Sequence, residues 1–331
     1  MGSVQVDGVE RAAVAPDVAA VSALLEIGER LGILPLITDG AQANADAIAE
    51  AAALPVDGVR RYLEAMAHAG LVEPGDAAGE FRGVAELPGL RHDAGYVSWA
   101  MTANRPLIEH AREFLTDAAA ARAAHGRDMR HVAVSGRWMG SLGFHPETLE
   151  AIVAARPRHF VDLGAGAGQL AIDVLRAFPG STALVLDRAA DACDEARHAA
   201  AEAGVGNRLI VADRSIESVA DDPSPLGGAN VVHAGFVLHN LEQDAVGRVL
   251  TRCREALSAG GTMIVTEIVP YAGSERERRF SAVVTYLHEQ FMGRKLLTAG
   301  EWKAALRGAG FTSVVCRVLP YPAGRQFIAS G

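Results

Sequence analysis

The segment that most constrains this chain is HFVDLGAGAGQLAIDVL, beginning at His159. Phe160, Val161 and Leu163 around Asp162 suit a buried strand, Gly164, Gly166 and Gly168 form a turn, and helical periodicity follows. A strand that passes through a glycine turn into a helix fits a parallel sheet, because parallel neighbours need a crossover and a helix supplies it. The rhythm repeats downstream: residues 182–186 end at Asp187, residues 209–212 end at Asp213, Val231 and Val232 follow, and residues 262–266 end at Glu267. Short strands separated by helices predict a doubly wound, Rossmann-like α/β sheet over the C-terminal half.

The chemistry at the strand ends is more informative than the glycines alone. Their spacing is G-x-G-x-G, so the dinucleotide fingerprint G-x-G-x-x-G is absent. Asp162 precedes the turn, and Asp187 closes the next strand 25 residues later. Glycines let the backbone approach a ligand closely, and an acid ending the second strand can accept from both hydroxyls of a ribose. Asp162 beside Gly164 and Gly166 would repel a pyrophosphate but can orient a cationic amino-acid tail. These features favour S-adenosylmethionine over a nicotinamide dinucleotide. Asp213, followed by Arg214, falls where the adenine would lie.

The N-terminal half has a different rhythm, with helical spacing over residues 18–31 and 44–53 and a third helix starting at an Asp57 cap and stopping at Gly70. Leu71 and Val72, the turn Pro74-Gly75-Asp76, and Phe81-Arg82-Gly83 read as a hairpin. The expected domains are therefore residues 1–145, helical and winged-helix-like, and residues 146–331, cofactor-binding. A winged helix raises DNA binding as an alternative. The third helix offers Arg60 and Arg61, but the wing carries Glu73, Asp76 and Glu80, and the chain has a net charge of −9. That balance argues against a phosphate-binding surface and for a packing or homodimerisation module, with Val18, Leu24, Leu25 and Ile27 as its apolar face.

No apolar run approaches the roughly 18 residues that span a bilayer. The start lacks a basic segment followed by an apolar one, and Gly2 is followed by Asp7 and Glu10, which do not fit a myristoylation site. A cytoplasmic protein with a small-molecule partner is expected, without nucleic acid or membrane. Cys193, Cys253 and Cys316 are odd in number and far apart, so they read as packing residues. His92, His110, His125, His131, His145 and His233 show no partner at interpretable spacing and receive no role.

The motifs VDLGAGAG, LVLD, VADR, FVLHNLEQDAVGRVLTRCREALSAGGTMIVTEIVP and LLTAGEWKAALRGAGF together resemble the class I S-adenosylmethionine-dependent methyltransferases of the plant and bacterial small-molecule O-methyltransferase type. The resemblance covers essentially the whole chain and implies an N-terminal winged-helix-like dimerisation domain. It matches His239 to the family's general base, which removes a phenol proton, and Glu267 to the first of two flanking glutamates. The second glutamate normally lies in a G-G-K-E-R-T segment. Here that segment reads Gly293-Arg294-Lys295-Leu296-Leu297-Thr298, so Leu296 stands in the glutamate's place.

Eight residues before Leu296, where plant members carry an apolar residue, this chain has His288. A second imidazole and a missing acid in one stretch resemble a smaller branch, the 2-oxo-acid C-methyltransferases, whose phenylpyruvate-methylating member holds iron through a histidine pair at these two places. The resemblance implies that His239 and His288 share a transition metal, iron or zinc. It also places Trp99 in the acceptor pocket and pairs Arg127 with the substrate carboxylate. Asn240 departs from the Asp that follows the first histidine in that branch. A metal bound by the carboxylate and keto oxygens of a 2-oxo acid would acidify the neighbouring C–H, and the resulting enolate carbon would take the methyl group. The sequence thus leads to C-methylation of a small 2-oxo acid, leaning to an aliphatic one because only 5% of residues are aromatic. A metal-free O-methyltransferase, with His239 as base oriented by Glu267, is the alternative.

Overall fold

The computed structural model describes residues 4–38 and 41–331, with side chains from residue 15 onward. Gly2 lies outside the described residues. Among them, no helix is long and apolar enough to cross a membrane. The chain forms two compact units. One comprises the chain up to Glu109 together with Gly126–Leu142; the other comprises His110–His125 and Gly143–Gly331. The sequence reading set a single boundary at residue 145. It missed that residues 110–125 leave the first unit and pack with the second.

The first unit begins with a helix, Val4–Arg30, in which Leu25 turns into the core and Ile27 faces solvent. Strand β1 (Gln42–Asn44) leads into the helix Ala45–Ala52, whose first turn is capped by the Asn44 side chain accepting from the Ala47 N–H at 2.8 Å. The next helix, Val56–His68, starts after Pro55, and Asp57 sits in its first turn rather than capping it. Its apolar stripe of Val59, Leu63 and Met66 joins Leu25, Ile48 and Leu71 in one core. Strands β2 (Val72–Pro74) and β3 (Glu80–Gly83) complete a three-stranded antiparallel sheet in the order β1-β3-β2. The wing's Arg82 is neutralised by Glu73 at 3.1 Å and Asp76 at 3.4 Å, and Arg60 pairs with Asp57 at 3.0 Å.

The second unit holds a seven-stranded sheet in the order β6-β5-β4-β7-β8-β10-β9. The parallel strands are β4 (His159–Leu163), β5 (Thr182–Asp187), β6 (Leu209–Asp213), β7 (Val231–Gly235) and β8 (Thr262–Ile268). They include every strand expected from the sequence. The order reverses beside β4, which opens a crevice at the C-terminal ends of β4, β5 and β7, where ligands of open α/β sheets bind. The sequence reading left the end of the chain unassigned. There β9 (Ser313–Val318) and β10 (Gly324–Ser330) form a hairpin, with β10 antiparallel to β8. This edge covers β8 and buries Thr266 and Glu267 completely.

Candidate active site

The glycine turn sits between β4 and the helix Gln169–Ala177. Gly164 has a φ of +72°, and a Cβ there would lie 2.5 Å from Val237 Cγ1, so both conformation and space demand glycine. Gly166, with a φ of +54°, has nothing within 4 Å of where a Cβ would be, leaving its backbone open to an approaching group. Asp187, at the end of β5, braces this turn: its carboxylate accepts from the Gly166 N–H and the Ala189 N–H, both at 2.9 Å. Each oxygen keeps a further lone-pair direction for a hydroxyl. Asp213 stands exposed opposite Asp187 in register. Arg214 spends its guanidinium on Asp222 at 3.2 Å and its N–H on the Asp187 carbonyl at 2.9 Å.

Asp162 differs from its expected setting. It is buried, and its carboxylate is 2.7 Å from Nδ1 of His233, its register partner on β7. The sequence reading gave His233 no role, because only the sheet register brings residues 71 apart into contact. Four of the other histidines without an expected partner also meet carboxylates, His131 with Asp128 and Glu26, His145 with Asp173, and His110 and His125 both with Glu113, whereas the His92 ring packs edge-on against Tyr96 at 5.2 Å.

At the end of β7 the chain reverses through Phe236, which takes an unusual φ of +53° and donates its N–H to the Thr266 carbonyl at 2.7 Å. Phe144 and Tyr321 pack on the Phe236 ring with centroids 4.6 and 5.1 Å away. This aromatic cluster fixes the turn that places His239 on a short 3-10 segment, Leu238–Asn240. The fully buried Glu267 then holds His239 twice, accepting from Nδ1 at 2.6 Å and from the backbone N–H at 3.2 Å. A carboxylate at Nδ1 keeps the proton on that nitrogen and leaves the lone pair on Nε2.

His288 lies in a π-helical segment, Leu287–Met292, with Nδ1 2.8 Å from the Val284 carbonyl. Its ring meets that of His239 edge to face, with centroids 4.9 Å apart. The two histidines expected to share a pocket are thus neighbours. Arg294 ties their segments together, donating from Nε to the Asn240 carbonyl at 3.1 Å and pairing with Glu242, while its N–H bonds the His288 carbonyl at 2.8 Å. Leu296, in the place of the missing glutamate, is buried, and Glu289 is exposed. Trp99 and Arg127 belong to the first unit, Trp99 buried on the π-helical segment Ser98–Ala103 and Arg127 half-buried in a loop. Trp138 packs in that unit's core.

Comparison with known proteins agrees with this architecture. The chain is 30% identical over 173 residues to demethylspheroidene O-methyltransferase of Cereibacter sphaeroides, covering 52% of this chain and 43% of that protein. It is 32% identical over 145 residues to aclacinomycin 10-hydroxylase of Streptomyces purpurascens, covering 44% of this chain and 37% of that protein. The matches thus span about half the length of these curated relatives or less. The structure of human N-acetylserotonin methyltransferase in complex with S-adenosylmethionine superposes with a TM-score of 0.59 at 16% identity, over 100% of this chain and 99% of that one, which shows the shared fold. These relatives lend no support to the expected metal or 2-oxo acid. A family model described as the O-methyltransferase domain matches residues 145–312, just over half of the chain, and the protein belongs to that family.

Proposed function

We propose that this protein transfers the methyl group of S-adenosylmethionine to an acidic hydroxyl oxygen of a small molecule. The observation that carries the reading is the buried Glu267 carboxylate holding His239 by Nδ1 and by the backbone N–H. The residues at the sheet's C-terminal edge fit the methyl donor. The open backbone at Gly166 admits close approach, Asp187 retains lone pairs for the ribose hydroxyls, and Asp213 flanks the adenine. The Asp162 and His233 pair replaces a lone acid beside the amino-acid tail. Bound S-adenosylmethionine supplies an electrophilic methyl group on a sulfonium. His239 Nε2 takes the acceptor's hydroxyl proton, the freed oxygen pair forms the new O–CH3 bond, and the S–CH3 pair leaves with sulfur as the neutral thioether. Glu267 stabilises the imidazolium that results.

One observation favours a second reading, metal-assisted C-methylation of a 2-oxo acid. The rings of His239 and His288 meet at 4.9 Å and both engage an oxygen through Nδ1, so each would offer Nε2 to a shared iron or zinc ion. Substitution and chelation separate the two. Under O-methylation, His239→Ala is inactive, His288→Ala keeps substantial activity, and a chelator changes nothing. Loss of turnover in both variants and on chelation, with β-hydrogen exchange of a 2-oxo acid in heavy water, would replace the first reading by the second. Because a relative carries a hydroxylase name, the product's methyl group is assigned by mass and NMR. The first unit is proposed as a homodimerisation module in which the long helix leaves Ile27 exposed and the turn after it leaves Leu31 exposed. A monomer by light scattering at micromolar concentration refutes that.

A further inference from the structure

Residues 110–125 carry a second cluster of histidines, remote from the methyl-transfer chemistry in sequence. His110 immediately precedes the short helix Ala111–Thr116, Glu113 lies in its first turn, and His125 follows the next helix, Ala118–Ala124. Glu113 sits between the two rings, with Oε1 2.8 Å from His110 Nδ1 and Oε2 2.8 Å from His125 Nε2. The imidazoles are stacked almost parallel, with centroids 3.6 Å apart. Among the described residues this is one group of three side chains whose ligand atoms all lie within 4.8 Å of one another.

We infer that His110, Glu113 and His125 form a binding site for a divalent transition-metal ion of the zinc type. Two imidazole nitrogens and one carboxylate oxygen are a donor set that suits zinc, nickel or copper, whereas calcium and magnesium prefer oxygen alone. Ligand atoms around a tetrahedral ion at about 2.0–2.2 Å lie roughly 3.3 Å apart; each ring nitrogen now sits 2.8 Å from its own Glu113 oxygen and the rings are parallel, so binding turns the rings out of their stack until both lone pairs converge on one ion. With three protein ligands, water takes the fourth place.

The site has a structural consequence within its unit. Phe114, beside Glu113, is buried and stacks on Phe291 at 4.9 Å, and Phe291 belongs to the π-helical segment that carries His288. An ion that joins the ends of the two short helices therefore braces the support of that segment.

The test is Zn²⁺ titration of the full-length, tag-free protein against a chromophoric chelator, with Co²⁺ absorption reporting tetrahedral geometry. The expected result is one equivalent bound by the wild type and by His288→Ala. Loss of a direct ligand exceeds the effect of losing an outer partner, so His125→Ala and Glu113→Gln each weaken binding by more than about tenfold. Glu113→Gln is nearly isosteric at an exposed place, so it reports on the site even if a histidine variant fails to fold. Absence of a stoichiometric ion in the wild type, or unchanged affinity in Glu113→Gln, overturns the assignment. So does loss of the ion in His288→Ala alone, which would place it at the other histidine pair. Binding by both the wild type and His288→Ala, or its absence from both, leaves the O-methylation reading untouched, whereas loss in His288→Ala alone would favour the metal-assisted reading at His239 and His288.

Discussion

Replacing Glu267 by Gln probes the proposed chemistry with the least change of shape. The carboxylate is completely buried and takes two N–H groups from one residue, Nδ1 at 2.6 Å and the backbone nitrogen at 3.2 Å. A glutamine side chain offers one oxygen and one NH2, so it cannot accept both. If its oxygen stays on Nδ1, the NH2 confronts the backbone N–H of His239. If the amide flips, the NH2 faces Nδ1 and favours the tautomer with the proton on Nε2, which is then no base. Either way one hydrogen bond to a charged acceptor is lost, worth about 1.5–3 kcal/mol. The tautomer adds the larger effect on rate. General base catalysis contributes roughly 10²–10⁴-fold, and the corresponding Asp-to-Asn change in a serine protease triad costs about 10⁴ in kcat. We expect kcat to fall by about 10²–10⁴ with KM little altered, because the interaction matters most when His239 becomes charged in the transition state. Release of S-adenosylhomocysteine, measured on a phenolic acceptor of the wild type, gives kcat. Calorimetry with S-adenosylmethionine verifies that the donor site is intact. A Glu267→Gln enzyme with intact donor binding and near wild-type kcat would refute the orientation of His239 by Glu267.

Three further outcomes follow from the same geometry. Asp187→Ala removes the acceptor of the Gly166 and Ala189 N–H groups along with the proposed ribose ligand; calorimetry should show S-adenosylmethionine binding weakened by about 1–3 kcal/mol, and unchanged affinity removes Asp187 from the site. Gly164→Ala forces a side chain into left-handed backbone, at about 1–2 kcal/mol, and drives its Cβ against Val237, at about 1–3 kcal/mol more, so thermal unfolding should shift down by several degrees. An unshifted midpoint contradicts the packing described for that turn. Glu277 accepts from Arg325 at 2.7 Å, which holds its carboxyl below the ordinary value of 4.5. A depressed carboxyl stabilises the fold fully above that value and loses the contribution as pH falls through its lower folded value, so the stability gap between wild type and Glu277→Gln should narrow below about pH 4.5 in urea titrations. A gap that stays constant into acid argues against the ion pair.

The parallel strands were legible because each is a short apolar run closed by an acid or a glycine, a pattern that depends on local sequence alone. The β9 and β10 hairpin was not. Ser313–Val318 alternates exposed and half-buried residues only weakly, and the pairing of β10 with the distant β8 is settled by tertiary contact. Residues 110–125 were assigned to the wrong unit for a related reason. Their helices are short, and Ala118–Ala124 is almost all alanine, so they carry little apolar periodicity to show which core they join. The π-helical turns at Trp99 and His288 have no sequence signal that distinguishes them from ordinary helix.

At the site, motif spacing found the groups but not their hydrogen bonds, and those bonds change what the groups are available to do. His239 and Glu267 are 28 residues apart, and β7 and β8 run side by side in parallel, so residues just beyond the end of one strand meet residues near the end of the other. That pairing follows from topology once the strands are known. Asp162 and Asp187 were read as ligands alone, yet one is committed to His233 and the other to two backbone N–H groups. The acids proposed to face the donor also hold the protein together: Asp187 braces the glycine turn, and Asp162 joins β4 to β7. Removing either should disturb the empty protein and the bound state together, and the separation between them lies in Asp187→Asn. That variant retains one carbonyl oxygen for the Gly166 N–H while losing the charge. If Asp187 acts on the ribose, the variant, which sets its NH2 against the Ala189 N–H, should lower the unfolding midpoint by no more than Asp187→Ala does and still lose much of its affinity for S-adenosylmethionine. Loss of stability with affinity preserved in the folded fraction would assign Asp187 to the turn alone.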